Sequence, residues 1–207
     1  EIPRGGEFDL VLADGTQVWL NAESRLRYPV EFSGKERKVV LEGEAYFQVK
    51  KNPSLPFRVE IRNQVIEVLG TEFNVSGYKD EVHVYTTLVN GKVKVATTGR
   101  DMTLLPGEQC VLDTGDGSMI RQQVDVDKII SWKKGKFILE EQTLEQIMQK
   151  LARWYDITVF YQNPALKNKV FKGSVPRYAE LQQVLNILEK TGEVQFHIQN
   201  RTVIVKE

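Results

Sequence analysis

Gly70-Thr71 is the one place in this sequence where the atoms of a bond-breaking step stand side by side. The Thr71 hydroxyl can attack the Gly70 carbonyl carbon, moving the acyl group from nitrogen to oxygen and leaving an ester that water hydrolyses. Such a step needs a strained peptide bond and a donor for the developing oxyanion, and glycine supplies unusual backbone geometry freely. The structural alternative for Gly70 is a bulge or tight bend between two strands. Leu112-Asp113-Thr114-Gly115 has the form of an aspartic-protease signature. That chemistry needs two carboxylates about 3 Å apart sharing a proton. The motif occurs once and runs into Asp116-Gly117-Ser118, so it reads as a surface turn. The acidic pairs Asp113/Asp116 and Asp125/Asp127 fall short of the roughly six to eight oxygens that calcium takes, and read as solvated turn carboxylates. Cys110 is the single cysteine and His83 and His197 are the only histidines, which argues against an internal disulfide or a structural zinc site. There is no phosphate-binding glycine loop, nucleophile elbow or His-Glu-x-x-His motif. No cofactor is called for, and the chain reads as a non-enzyme.

Bulk properties narrow the classes further. The chain has 28 Lys plus Arg against 28 Asp plus Glu, so no net field draws in nucleic acid or anionic lipid. At 207 residues it can form one large or two small domains, each with a useful core. No apolar run approaches the roughly 20 residues of a membrane helix.

Two regimes of periodicity follow one another. From residue 7 to about 123 the chain reads as short strands and turns, an all-β domain. Val39-Val40-Leu41, Ala45 to Val49, Phe57 to Ile61 and Val65 to Leu69 are rich in β-branched and aromatic residues. Asp14-Gly15 is a two-residue hairpin signal, and Asn63-Gln64, Asn90-Gly91, Pro106-Gly107 and Asp116-Gly117 mark further turns. A twisted sandwich, a barrel and a solenoid-like stack all suit this pattern. After Val124 to Lys128 the period changes. Gly135 to Glu140 reads as a strand, and Thr143-Leu144-Glu145-Gln146 as a capping box. Leu144, Ile147, Met148, Leu151 and Tyr155 then share one helical face. Ile157 to Tyr161 and Val170 to Val175 read as strands, and Leu181, Val184, Leu185 and Leu188 line a second helix that Gly192 stops. Val194 to Ile198 and Thr202 to Val205 pair as a hairpin through Asn200-Arg201. The order is a small α+β domain of β-α-β, β-α-β-β. Trp19 and Trp154 suit core or inter-domain packing better than a sugar platform, and Trp132, in the linker, is expected to help dock the domains.

Four segments stand in a telling order: Asp14 to Leu26, Leu41 to Val49, Val68 to Val75, and Gly91 to Val95 before Pro106-Gly107-Glu108-Gln109. They resemble the FecR-like regulators, membrane-bound anti-sigma factors whose outer part receives a signal from an outer-membrane transporter. The β-α-β, β-α-β-β order, with Leu151 to Asp156 and Phe171-Lys172-Gly173-Ser174, is similar to the short N-terminal signalling module of secretins and TonB-dependent transducers. The resemblance divides the chain into a FecR-like all-β domain at 1–126, twisted and partly solenoidal, and a signalling α+β domain at 127–207.

This resemblance implies the periplasmic part of a single-pass inner-membrane protein of a Gram-negative bacterium. A start at Glu1 rather than methionine leads one to expect a piece of a longer chain, lacking a sigma-binding segment and a membrane span. The implied partners are the signalling domain of an outer-membrane TonB-dependent transporter and, through the absent segments, a cytoplasmic ECF sigma factor. Nucleic acid and a small-molecule substrate are not expected. Several such regulators self-cleave at a Gly-Thr bond, matched here by Val68-Leu69-Gly70-Thr71-Glu72-Phe73. The competing class is an envelope carbohydrate-binding module. Docking is expected by strand addition at an exposed edge. The terminal strand, with Thr202, Val203, Ile204 and Val205, is the first expectation, and Val170, Phe171 and Gly173 the second. Val203 and Val205 should face opposite to Ile204.

Overall fold

Period-2 alternation becomes strand almost wherever the sequence carries it. The chain forms two compact units, Glu1–Ile130 and Ser131–Glu207, and this computed structural model describes residues 1–139 and 142–207. In the first unit β1 (Phe8–Val11), β2 (Gln17–Leu20) and β3 (Arg25–Arg27) precede the long β4 (Arg37–Gln48). Next come β5 (Phe57–Ile61), β6 (Gln64–Val68), β7 (Glu72–Gly77) and β8 (His83–Asn90). The unit continues through β9 (Val93–Thr97), β10 (Arg100–Leu104), β11 (Glu108–Asp113) and β12 (Met119–Gln123). One twelve-stranded sheet results, curled around a single apolar core.

Strand β4 belongs to both faces of that sheet. Its second half pairs with β2 and β7, in the order β1-β2-β4-β7-β8-β11-β12. Its first half pairs with β3 and, in parallel, β5, in the order β3-β4-β5-β6-β9-β10. The switch is at Gly43, whose φ is +95°. A Cβ there would stand 2.9 Å from the Glu23 carbonyl oxygen and collide with Ser24. The fold-back is deep. Arg37 opens β4 and Lys50 lies beyond its end, yet Arg37 Nη1 donates to the Lys50 carbonyl at 2.8 Å. Val39, Leu41, Ala45, Phe47, Phe57, Val59, Phe73 and Val75 fill the space between the faces.

Arg37 closes the end away from Gly43. It is 1% exposed and donates through Nη1 to Asp14 Oδ2 at 2.6 Å and through Nε to the Leu55 carbonyl at 2.9 Å. Its guanidinium also lies 5.4 Å from the centre of the Phe57 ring. Asp14 is held in turn: its carboxylate accepts the Thr16 N–H at 3.0 Å and the Thr16 hydroxyl at 2.8 Å. This corrects the expected hairpin. The loop is Ala13-Asp14-Gly15, closed by the Leu12 N–H on the Thr16 carbonyl at 2.8 Å, and Gly15 alone of the three takes a positive φ. Drawing the Asp14 carboxylate inward to Arg37 fits this longer loop, whose last residue is a left-handed glycine.

The chain leaves the first unit through a short helix, α1 (Val126–Ile129), capped by Asp125. In the second unit β13 (Lys136–Ile138) and β14 (Gln142–Thr143) lead into α2 (Leu144–Tyr155). Glu140, the end of the strand expected there, lies outside the described residues. The capping box forms: the Thr143 hydroxyl accepts the Gln146 N–H at 3.3 Å and Gln146 Oε1 accepts the Thr143 N–H at 3.0 Å. Leu144, Ile147, Met148 and Leu151 are all buried, each contributing about 2 kcal/mol by leaving water. After α2 come β15 (Thr158–Tyr161), β16 (Val170–Phe171), β17 (Ser174–Pro176), α3 (Leu181–Glu189), β18 (Gln195–Gln199) and β19 (Thr202–Lys206).

Two of the strand expectations are corrected here. The run 170 to 175 is split, because Gly173 takes φ +122° between β16 and β17. The terminal strand is no edge: β19 runs parallel to β15 on one side and antiparallel to β18 on the other. Thr202, Val203, Ile204 and Val205 therefore offer no free backbone for strand addition. The reason is topological, since the β15 crossover returns the chain to the far side of β19. The facing itself is as expected, with Val203 and Val205 buried and Ile204 on the other face.

Arg37→Ala should remove about 3–5 kcal/mol of stability, because it takes the cation from Asp14 and the donors from the Lys50 and Leu55 carbonyls. Urea denaturation followed by circular dichroism measures this, and a loss under about 1 kcal/mol would contradict the closing role.

Candidate partner-binding site

Gly70 and Thr71 sit where three loops meet. A Cβ on Gly70 would stand 2.6 Å from Lys51 Cα, so this position admits no side chain without moving backbone. The Thr71 carbonyl accepts the Val49 N–H at 2.9 Å and the Leu69 carbonyl accepts the Asn52 N–H at 2.7 Å. Thr71 is buried, and its hydroxyl donates to the Lys92 carbonyl at 2.9 Å. Among the described residues no carboxylate or imidazole bonds that hydroxyl, so no side chain is placed to take its proton. Gly70 lies in the bend between β6 and β7, the structural role named for it above, and its backbone also approaches that of Lys51 closely.

The remaining chemical candidates resolve into structure. Asp113 Oδ1 accepts the Gly115 and Asp116 N–H groups at 2.7 and 3.3 Å, a turn between β11 and β12. No group of three metal-binding side chains forms among the described residues. Cys110 is buried beside Gln64, and desolvation pushes its thiol up to about 11, which makes it a poor nucleophile. Trp19 meets the Tyr46 ring edge-on at 5.5 Å. In the second unit Arg177 is fully buried, its guanidinium 3.9 Å from the Trp154 ring centre and 5.5 Å from that of Trp132. The Trp154 indole N–H donates to the Arg177 carbonyl at 2.6 Å. These two indoles therefore frame an arginine rather than a sugar platform. Arg37 and Arg177 are the residues that sequence reasoning missed. Both carry a signal: Arg37 is in phase with Val39 and Leu41, and Arg177 with Val175, on inward-facing positions.

With β19 enclosed, the strand edges described in the second unit include the outer sides of β18, of β15 and of the β16–β17 run. The outer edge of β18 is guarded, because Glu189 Oε1 accepts the Phe196 N–H at 2.6 Å. Beside β15 folds the 3-10 turn Pro164–Asn168, which brings the Lys167 ammonium 5.4 Å from the Tyr161 ring centre. The third edge is the outer side of β16 and β17. Its inner side is spent on β14 and β13, with Lys169 O, Gly173 O and Arg177 N bonded to Leu144, Leu139 and Gly135. By the alternation of an antiparallel ladder, the backbone groups of Val170, Lys172 and Ser174 point outward. Among the described residues no strand pairs with that side. Val170 is 53% exposed, Phe171 is buried, and nothing lies within 4 Å of where a Gly173 Cβ would be. Of the expected docking residues, Val170 and Gly173 thus stand together on an open edge, with Phe171 anchoring it from the core.

Gly70→Ala should destabilise the chain by about 1–3 kcal/mol through overpacking, and Thr71→Val by about 1 kcal/mol through the lost hydrogen bond. Both are read in a urea titration. Intact-mass spectrometry of purified wild type and Thr71→Val should each give one full-length chain. A wild-type fragment beginning at Thr71 would show chemistry that this geometry does not provide.

Comparison with known proteins agrees with this architecture. The profile described as FecR protein matches residues 1–94, and the one described as FecR, C-terminal, matches residues 136–205. Two crystal structures of a provisionally assigned anti-sigma factor from Parabacteroides distasonis ATCC 8503, at 1.65 and 2.50 Å resolution, are similar to the whole chain. The first is 27% identical with a TM-score of 0.93, covering 100% of this chain and 97% of that one. The second is 28% identical with a TM-score of 0.91, covering 100% and 96%. No curated protein matches significantly. With both of its characteristic regions present in order on the matching fold, the chain belongs to the FecR family.

Proposed function

We propose that this chain is the partner-sensing periplasmic part of an anti-sigma regulator anchored in the inner membrane of a Gram-negative bacterium. The observation that carries the reading is the end-to-end likeness to a provisionally assigned anti-sigma factor, with both FecR regions matched. In this reading the second unit binds the signalling domain of an outer-membrane TonB-dependent transporter. The state of that complex then passes to a cytoplasmic ECF sigma factor through a membrane span and a sigma-binding segment outside this sequence. No helix among the described residues is long and apolar enough to cross a membrane, which fits a part that lies outside the bilayer.

The docking edge in this proposal is the outer side of β16 and β17. An extended segment of the transporter domain adds there as a strand, bonding the outward groups of Val170, Lys172 and Ser174. Open space at Gly173 lets the two backbones approach, and the exposed Val170 side chain adds apolar contact. Backbone pairing of this kind gives moderate affinity, with specificity from a few flanking side chains.

Isothermal titration of the full chain with a transporter signalling domain tests both levels of the proposal. Lys172→Pro deletes an outward N–H and should weaken binding about tenfold or more, whereas Lys172→Ala should change it less than about threefold. Circular dichroism confirms folding first. Val203→Pro is the contrasting variant: it breaks a central strand and should unfold the second unit. Binding unchanged by Lys172→Pro would remove β16 and β17 as the docking edge. Failure of every transporter signalling domain to bind would remove the sensing role itself.

A further inference from the structure

Asn90-Gly91 is the single Asn-Gly pair in the sequence, and the first unit leaves it open to a reaction that partner sensing does not use. The backbone nitrogen after an asparagine lies within reach of that side chain's carbonyl carbon, and glycine has no Cβ to shield the nitrogen. Asn90 ends β8, and both it and Gly91 are exposed. Gly91 turns the chain out of β8 with φ +97°. Among the described residues no hydrogen bond holds the Asn90 side chain. Other asparagines are tied. Asn21 and Asn74 donate to Glu44 at 2.7 and 3.0 Å, Asn163 donates to Glu207 at 2.6 Å, and Asn52 accepts the Ser54 N–H at 3.2 Å. The two Asp-Gly pairs, which cyclise by the same geometry, are held as well. Asp14 is bonded by Arg37 and Thr16, and Asp116 Oδ1 accepts the Ser118 N–H at 2.7 Å.

We propose that Asn90 is a self-modification site, which converts to aspartate and isoaspartate in the folded chain. The Gly91 amide nitrogen gives its proton to solvent and bonds Asn90 Cγ. The Cγ–Nδ2 bond breaks, ammonia takes up a proton and leaves, and a five-membered succinimide closes. Water then opens the ring. Cleavage between nitrogen and Cγ gives aspartate, whereas cleavage between nitrogen and the main-chain carbonyl carbon gives isoaspartate, with the backbone rerouted through the side chain. No oxidant or reductant takes part. Either product sets a carboxylate opposite Glu72, which faces Asn90 in the β7–β8 ladder, and like charges so placed repel. Isoaspartate also lengthens the main chain by one carbon where there is no slack. A Cβ on Gly91 would stand 3.0 Å from Thr71 Oγ1, and the Thr71 hydroxyl donates to the Lys92 carbonyl at 2.9 Å. The reaction therefore loosens the Gly70-Thr71 corner as the protein ages. It lies in the first unit and needs only water, so it stands or falls apart from docking at β16 and β17.

The test incubates the full chain in mildly alkaline buffer and maps its peptides by mass spectrometry. Asn90 should convert about tenfold or more faster than Asn63 and Asn200, which precede Gln64 and Arg201. Mildly acidic buffer should slow the conversion, because the attacking nitrogen must lose its proton. An isoaspartyl methyltransferase with radiolabelled S-adenosylmethionine should label aged wild type. N90Q would have to close a six-membered ring and should take up about tenfold less label. Aged wild type should melt about 2–4 °C below fresh protein, whereas N90Q should hold its melting temperature. Fresh N90Q melting with fresh wild type establishes that the exposed substitution leaves folding intact. An Asn90 amide that survives in the folded chain and is lost only in urea would overturn the proposal, by showing that the β8 corner protects it. So would equal conversion at Asn63 or Asn200, or equal labelling of N90Q. Aged and fresh chains that melt together would overturn the loosening of the corner.

Discussion

A single buried guanidinium sets the geometry of the first unit. Arg37 has to be drawn out of water to reach its place, and a charge in that position is tolerable only with acceptors around it. Asp14, the Lys50 carbonyl and the Leu55 carbonyl supply them. One acceptor comes from the 12–16 turn and two from opposite ends of the 49–56 loop, so bonding the arginine draws both segments to the start of β4. That requirement and the left-handed glycine at position 43 act at opposite ends of one strand. Gly43 lets β4 turn from one face of the sheet to the other, and Arg37 holds the turned ends together.

The consequence runs into the motifs that mark the family. Asp14-Gly15-Thr16, Gly43, Gly70-Thr71 and Gly91 lie far apart in sequence, yet each resolves a contact created by the fold-back. Thr16 orients Asp14 and accepts the Lys50 N–H. Gly70 makes room for Lys51, and a Cβ on Gly91 would stand 3.0 Å from Thr71 Oγ1. Motifs of this kind invite a chemical reading because they combine glycine with a hydroxyl or a carboxylate. Here the same residue types are what tight backbone crossings demand, with no side chain among the described residues placed to activate the hydroxyl.

The second unit repeats the principle with a different partner for its buried cation. Arg177 lies among the faces of Trp132, Phe137 and Trp154, whose quadrupoles attract it. Around this centre the edges are managed unequally. Parallel pairing encloses β19, a carboxylate occupies the first ladder position beside β18, and the strand interrupted at Gly173 stays open. Strand addition needs an unpaired donor and acceptor row, so edge exposure, more than side-chain identity, decides which segment can receive a partner.

Local patterns were fully legible where the physics is local. The Thr143–Gln146 capping box, the apolar face of α2, the hairpin through Asn200-Arg201 and the change of period near residue 124 all follow from spacing along the chain. Hydrogen bonds within one turn and burial of one helical face need no knowledge of distant residues. What the tertiary structure decided is everything that depends on which strand lies next to which. The position of β19 in its sheet, the three-residue loop at Asp14, the burial of Arg37 and Arg177 and the open edge at Val170 to Ser174 are of this kind. Alternation shows that a strand has an inside and an outside face. It carries no information on its two lateral neighbours, because backbone hydrogen bonds are the same for every sequence. Arg37 and Arg177 lay in phase with inward residues, but a cation on an inward position gains its meaning only from the acceptors or rings that folding brings to it.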